Sequence, residues 1–198
     1  GDWRLELTYL LTAGNDQMVA SNSGDRIDGL AGNDLIFGLD GNDVLFGGIG
    51  DDAVVGGLGN DRVEGGAGND KLVGGSGRDV FVVGTGGADS ISDFHPTWDR
   101  LVIDAASGNT SFASLNIQQV GQDVLITFAN GSSVRIIGAT RELIGLHNIE
   151  MPPLPSSAED PGLPEMQALP YADAYDPKDW TEPVFTFEPL HDPDWHLA

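Results

Sequence analysis

The chain has 198 residues, enough for one ordinary domain, or one domain with an appendage. Its 31 acidic side chains outnumber 9 basic ones for a formal charge of -22, which argues against DNA, RNA or anionic lipid as partners, since these need basic patches. With no cysteine, disulfides, thiolate metal sites and thiol catalysis are excluded, and no apolar run approaches the roughly 20 residues of a membrane span.

The first residues, Gly1-Asp2-Trp3-Arg4-Leu5, show no charged segment followed by an apolar one, so no cleavable secretory signal is expected there. Residues 3–10 alternate apolar Trp3, Leu5, Leu7 and Tyr9 with polar neighbours, which predicts a half-buried strand capping the fold.

Residues 11–82 repeat with a period of nine. Aspartate recurs at Asp16, Asp25, Asp34, Asp43, Asp52, Asp61, Asp70 and Asp79. Two residues after each stands an apolar side chain: Met18, Ile27, Ile36, Leu45, Val54, Val63, Leu72 and Phe81. With aspartate numbered sixth in the unit, glycine dominates positions one and four and fills position two in the last four units, and asparagine is commonest at position five, as in Asn33, Asn42, Asn60 and Asn69. Glycine and asparagine tolerate left-handed backbone, so positions one to six are predicted to form a tight turn. Positions seven to nine, such as Leu35-Ile36-Phe37, predict a strand of about three residues with position eight pointing inward. Two turns and two strands then make one coil of eighteen residues, and stacked coils give two parallel sheets around a core one side chain wide.

Such a core is thin. Eight moderate apolar side chains do not offset the ordering of about seventy residues, many of them glycine. Stacking places same-side carboxylates about 5 Å apart, which adds repulsion. A hard divalent cation between turns reverses that contribution. Calcium accepts six to eight oxygens in tolerant geometry, magnesium demands a tighter octahedron, and zinc favours His or Cys, which the repeats lack. Asp16, Asp34, Asp52 and Asp70 line one edge and Asp25, Asp43, Asp61 and Asp79 the other. Three gaps on each edge predict up to six calcium ions.

The nonapeptide resembles the RTX repeats of type I-secreted bacterial proteins, with consensus Gly-Gly-x-Gly-x-Asp-x-apolar-x. Gly56-Gly57-Leu58-Gly59-Asn60-Asp61-Arg62-Val63-Glu64 matches at every specified position. The resemblance implies a calcium-binding parallel β-roll, an all-β two-sheet β-helix. It implies that each ion takes carbonyls from positions two and four of one loop, from positions one and three of the loop a coil later, and both aspartates. The implied carbonyls are Gly29, Gly38, Gly47, Gly56, Gly65 and Gly74 at position one, and Gly48, Gly57 and Gly66 at position two. Ala31, Asp40, Ile49, Leu58, Ala67 and Ser76 supply position three, and Gly32, Gly41, Gly50, Gly59 and Gly68 position four. Gly84, Gly86 and Asp89 keep the same offsets after a one-residue slip, implying a seventh ion between Asp70 and Asp89. In the first two units Leu11, Thr12, Ala20, Ser21 and Ser23 replace glycines, so the Asp16–Asp34 and Asp25–Asp43 sites depend on turns that accept side chains.

Beyond residue 82 the period is lost. Strands are expected at 101–104, 115–120, 123–129 and 133–137, with Asn130-Gly131 as a hairpin turn and a short helix over Thr140 to Ile149, capped by Thr140 and packing Leu143, Leu146 and His147 on one face. Ala88-Asp89-Ser90-Ile91-Ser92-Asp93-Phe94, Asp99-Arg100-Leu101 and Asp123-Val124-Leu125-Ile126-Thr127-Phe128 look like the flanking segment of serralysin-type C-terminal domains. The expected organisation is a capping strand (1–10), the roll (11–94), a β-rich flanking cap (95–150) and an acidic, proline-rich tail (151–198). The tail is expected to be disordered by composition, although its aromatics Tyr171, Tyr175, Trp180, Phe185, Phe187 and Trp195 are unusual for such a segment. Outward Val19, Phe37, Val55 and Val73, beside Leu35 and Ala53, form an apolar stripe that the tail, the first strand or a partner is expected to cover.

No enzyme is expected. The histidines His95, His147, His191 and His196 are scattered, and no His-Glu-x-x-His, Gly-x-Ser-x-Gly or phosphate loop occurs. Asp89, Asp93 and Asp99 could form a hydrolytic pair, but calcium ligation or turn capping is the expected role. The functional expectation is a secreted, extracellular, non-catalytic module that folds on calcium after leaving a bacterial cell. The resemblance implies the type I secretion apparatus as a partner, with a C-terminal signal in the tail. The alternative is an accessory module of a larger secreted enzyme, such as a protease, lipase or alginate epimerase, binding polysaccharide or a cell surface.

Overall fold

The computed structural model describes residues 8–152, so the expectations for residues 3–7 and for the tail beyond 152 lie outside the described residues. The repeat builds a parallel β-roll in which each nonapeptide supplies one strand and strands alternate between two sheets. Strands β1 (Thr8–Leu10), β2 (Gln17–Val19) and β3 (Arg26–Asp28) have three residues each. The next five have six: β4 (Leu35–Asp40), β5 (Val44–Ile49), β6 (Ala53–Leu58), β7 (Arg62–Ala67) and β8 (Lys71–Ser76). Then follow β9 (Val80–Val83), β10 (Ala88–Ile91), β11 (Arg100–Ile103), β12 (Asn116–Val120), β13 (Asp123–Thr127), β14 (Ser133–Ile136) and β15 (Ile149–Glu150). One sheet runs β1-β3-β5-β7-β9-β11-β15, all parallel; the other runs β12-β13-β14-β10-β8-β6-β4-β2.

The eighteen-residue coil appears directly in the register: Leu35 pairs with Ala53 and Ala53 with Lys71, Val44 with Arg62 and Arg62 with Val80. Position eight points inward as expected, and Ile27, Ile36, Leu45, Val54, Val63, Leu72 and Phe81 are all fully buried. Tyr9 falls opposite Ile27, so Thr8–Leu10 is one more rung of the same period, although no aspartate precedes it.

The central strands are twice as long as expected. Ladder pairing continues through positions one to three, with Leu39 opposite Gly57 and Asp40 opposite Leu58. Once two coils are in register at positions seven to nine, the next peptides also lie within pairing distance, and pairing them satisfies their polar groups. The turn therefore shrinks to positions four to six.

The strand stack continues past the repeats. β11 lies parallel on β9 and β15 on β11, while β14 lies parallel on β10 and continues antiparallel into β13 and β12. The four expected strands are all present within a residue or two. The hairpin joining β13 to β14 also forms, but only Gly131 has positive φ (90°); Asn130 works through its side chain, donating to the Gly84 and Ala106 carbonyls at 2.9 Å each. The helix expected over Thr140–Ile149 reduces to one 3-10 turn at Arg141–Leu143 without a Thr140 side-chain cap. Leu143 and Leu146 are exposed, whereas Ile144, Asn148 and Ile149 are buried. Pairing of Ile149 with Leu101 pulls the segment into strand geometry.

On the outer face of the eight-stranded sheet, Val19, Phe37, Val55 and Val73 stand in register across β2, β4, β6 and β8. Val19 is exposed, and Phe37, Val55, Val73, Leu35 and Ala53 are half-buried. The opposite sheet carries charge there: the Arg26 guanidinium sits 4.5 Å over the Phe46 ring, and Arg62 pairs with Glu64 at 3.2 Å.

Candidate metal centre

Each aspartate of the repeat sits where a turn enters a strand, so the stacking of coils stacks the carboxylates. On one edge the backbone N–H of Asp16 donates to Asp34 Oδ1 at 2.8 Å, Asp34 to Asp52 at 2.7 Å and Asp52 to Asp70 at 2.8 Å. On the other edge the same bond joins Asp25 to Asp43 at 2.7 Å, Asp43 to Asp61 at 2.9 Å and Asp61 to Asp79 at 2.9 Å. The ladder extends beyond the period. Asp70 donates to Asp89 at 3.1 Å and Asp79 to Asp99 at 2.9 Å.

These bonds satisfy one carboxylate oxygen and leave the other. Oδ2 of Asp34, Asp43, Asp52, Asp61, Asp70 and Asp79 is buried without a hydrogen-bond partner. Each of these six aspartates is at most 3% exposed. A buried anionic oxygen without a partner is costly. Burial pushes the Asp61 and Asp89 carboxyls up to about 7 and those of Asp70 and Asp79 up to about 6. Asp43, Asp52 and Asp99 shift upward too, again mainly by burial.

The surroundings of Oδ2 are set by glycine, for two different reasons. At position one the glycines have ordinary φ but no room: a β-carbon on Gly47 would lie 2.5 Å from Asp52 Oδ2 and 2.5 Å from the Gly65 carbonyl oxygen of the next coil. The same crowding by a carboxylate and a next-coil carbonyl occurs at Gly29, Gly38 and Gly56. At positions two and four the backbone is left-handed, with φ of 111° at Gly48 and 137° at Gly50. There the carbonyls of the preceding coil point at the chain: Leu30 O at Gly48, Gly32 O at Gly50, Gly48 O at Gly66 and Gly50 O at Gly68. Position-three carbonyls point the opposite way, with Ile49 O accepting from Gly32 N–H at 2.8 Å and Ala67 O from Gly50 N–H at 2.8 Å.

Each of the four gaps from Asp34–Asp52 and Asp43–Asp61 to Asp52–Asp70 and Asp61–Asp79 is therefore lined by main-chain oxygens and by a carboxylate oxygen lacking a partner. Among the described residues no three carboxylates or histidines cluster as a metal centre. A cation here must draw on carbonyls, which suits calcium and not zinc.

Position five differs from expectation. Its asparagines do not have positive φ; they form a second ladder. Asn33 N–H donates to Asn15 Oδ1 at 2.8 Å, Asp51 to Asn33 at 3.0 Å, Asn69 to Asp51 at 2.8 Å, and Asn60 to Asn42 at 2.8 Å. This ladder runs opposite to the aspartate ladder. Its only sequence signal was the asparagine column itself.

A model of the RTX calcium-binding nonapeptide repeat matches four copies, over residues 12–45, 19–54 and 46–81. Residues 12–81 are an array of RTX repeats. RTX nonapeptide repeats bind calcium, and the β-roll they build is a structural fold compatible with a non-catalytic role. No curated protein matches the chain. Among solved structures, a subunit of an Azotobacter vinelandii mannuronan C5-epimerase is 23% identical with a TM-score of 0.46, covering 87% of this chain and 98% of its own. A second subunit of that type is 22% identical with a TM-score of 0.42, covering 74% of this chain and 91% of its own. The extracellular lipase LipA of Serratia marcescens is 18% identical with a TM-score of 0.39, and the similarity spans 72% of this chain and 40% of the lipase.

Two carboxylates outside the period join the RTX array's edges. Asp99 ends one ladder after a two-residue slip, and Asp99-Arg100-Leu101 keeps the aspartate-x-apolar pattern. Its Oδ2 accepts from His95 N–H at 2.8 Å. Asp93 accepts from the Gly74 and Gly75 amides at 3.0 and 2.7 Å. Gly84 and Gly86 precede Asp89 at the expected offsets, but Gly84 has a φ of 98°, unlike the glycines at position one. Between them, the Thr85 hydroxyl donates to Gly66 O at 2.5 Å.

Proposed function

We propose that this chain is a secreted, non-catalytic calcium module whose roll folds when extracellular calcium fills the gaps between coils. The observation that carries this reading is the row of six buried, partnerless Oδ2 atoms, four of which share the space beside a position-one glycine with a main-chain carbonyl of the next coil. The ligands we assign are Asp34, Asp43, Asp52, Asp61, Asp70, Asp79 and Asp89, with carbonyls of positions two and four from one loop and one and three from the next. Asp52 with Gly48 and Gly50, facing Asp70 with Gly65 and Ala67, is one such set. The Asp70 backbone N–H donates to Asp89 Oδ1 at 3.1 Å, the same ladder bond as in the central gaps, which favours a shared cation at that end as well.

Calcium supplies a positive charge that accepts many oxygens in flexible geometry. The chain's own part is to hold those oxygens: glycine at position one leaves room for the carboxylate, and left-handed glycines at two and four aim the carbonyls. With a formal charge of -22, the chain without calcium repels itself. Binding energy then becomes folding energy. Extracellular modules bind at roughly 10⁻⁴–10⁻³ M, above cytosolic free calcium, so the chain would stay unfolded until exported, with the type I route as its partner. In this reading residues 11–94 are the calcium-dependent roll and 95–150 the cap that closes it.

Calcium titration followed by circular dichroism tests the proposal. Wild type should gain β-structure, and Asp52→Ala or Asp61→Ala should raise the calcium midpoint several-fold and lower the number of ions bound. A calcium-insensitive spectrum of the wild type would sink it.

A further inference from the structure

The first two turns of the roll depart from the others in two independent ways. One is the backbone. Position two has positive φ at Leu30, Leu39, Gly48, Gly57, Gly66 and Gly75, and position four from Gly32 to Gly77. The equivalents in the first two turns, Thr12 with Gly14 and Ser21 with Ser23, do not. As a result Gly50 and Gly59 meet a carbonyl oxygen of the preceding coil, whereas Gly32 meets the side of the Gly14–Asn15 peptide, with C and O of Gly14 both 2.5 Å from its β-carbon position. Gly41 likewise meets the Ser23–Gly24 peptide, with Ser23 C and Gly24 N both at 2.5 Å.

The other is the carboxylate. Thr12 donates to Asp16 Oδ2 through both its amide and its hydroxyl, at 2.7 Å each. Ser21 does the same to Asp25 Oδ2, at 2.9 Å through the amide and 2.7 Å through the hydroxyl. Asp34 to Asp79 have only glycine or leucine at position two of their own turns, and there Oδ2 is without a partner.

We infer that the first coil is a metal-free end plate in which the Thr12 and Ser21 hydroxyls hold the carboxylates that calcium holds elsewhere. The calcium array then begins at the Asp34–Asp52 gap on one edge and the Asp43–Asp61 gap on the other. The hydrogen-bonded ladder nevertheless reaches the first coil, because Asp16 and Asp25 still donate to Asp34 and Asp43 at 2.8 and 2.7 Å. The two gaps beneath lack correctly aimed carbonyls at positions two and four, and a protein hydrogen bond takes the place of the ion. This inference rests on the central gaps binding calcium.

Anomalous diffraction from calcium-loaded crystals of the full chain reads the two claims separately. Ions at Asp34–Asp52 and Asp43–Asp61 with none at Asp16–Asp34 or Asp25–Asp43 is the expected result. An ion bridging either first-coil pair overturns the end plate and leaves the calcium function standing; no ion in any gap overturns both. In solution, native mass spectrometry of the Asp16→Asn/Asp25→Asn double variant should show the wild-type number of ions, and loss of one or two would overturn the inference. Should that variant fail to fold, Thr12→Val/Ser21→Ala serves instead: faster amide exchange over residues 11–28 with an unchanged ion count is expected, and unchanged exchange would count against the hydroxyls.

Discussion

At the scale of single residues, glycine serves this roll in two ways that a substitution can separate. At Gly47 the obstacle is space, since the β-carbon would overlap the Asp52 carboxylate and the Gly65 carbonyl. Gly47→Ala should therefore cost roughly 1–3 kcal/mol by overpacking and raise the calcium midpoint, because the displaced carboxylate is a proposed ligand. Leu30 and Leu39 present the opposite case. They adopt the left-handed backbone of position two with φ of 68° and 75°, and both side chains are exposed. A left-handed L-residue costs roughly 1–2 kcal/mol, while glycine loses about 0.5–1 kcal/mol more conformational freedom on folding. Leu30→Gly/Leu39→Gly should thus leave thermal stability unchanged or raise it slightly. A clear drop in melting temperature would show that the leucines pack against something.

At the scale of elements, the last strand of the cap is seated by one buried polar side chain. Asn148 is 2% exposed; its amide donates to Pro96 O at 3.2 Å and Leu143 O at 2.7 Å, and its Oδ1 accepts from Gly145 N–H at 2.9 Å. These bonds seat the segment that feeds β15 onto β11. Asn148→Ala removes one side of several buried bonds and should cost about 2–3 kcal/mol, seen as faster amide exchange over 143–150 with little change across 44–76. Uniformly faster exchange would instead mean that cap and roll unfold as one unit. This region was the least legible in sequence. The strands of the cap were readable from alternation and the Asn130-Gly131 turn, but the 140–149 segment carried a helical pattern that pairing with β11 overrode.

At the scale of the molecule, the two ladders from Asp43 onward concentrate carboxylates that burial makes reluctant to ionise. In the folded, metal-free state Asp61 and Asp89 titrate near 7 and Asp70 and Asp79 near 6, against roughly 3.9 in an unfolded chain. Because these folded values are raised, the stability they contribute is fully present below the unfolded value and is lost as pH rises through 6 to 7. Without calcium, lowering the pH from 8 to 5 should thus increase β-structure by circular dichroism; a flat signal would contradict it. With calcium the dependence reverses. The ion requires ionised carboxylates, so the calcium midpoint should fall as pH rises over the same window, as measured by titration in unchelated buffers.

The nine-residue period by itself determined the coil, the inward column from Ile27 to Phe81 and the assignment of alternate aspartates to opposite edges. Each follows from a strand's two-residue alternation applied to an unvarying spacing. Only the tertiary structure decided how far the strands run, because pairing through positions one to three depends on the neighbouring coil. It alone revealed the second ladder at position five, the off-period arrival of Asp99 and the hydroxyls of Thr12 and Ser21 on the first carboxylates. These are contacts between residues whose adjacency arises from stacking or from a local turn, and a period cannot report where such a turn changes its shape.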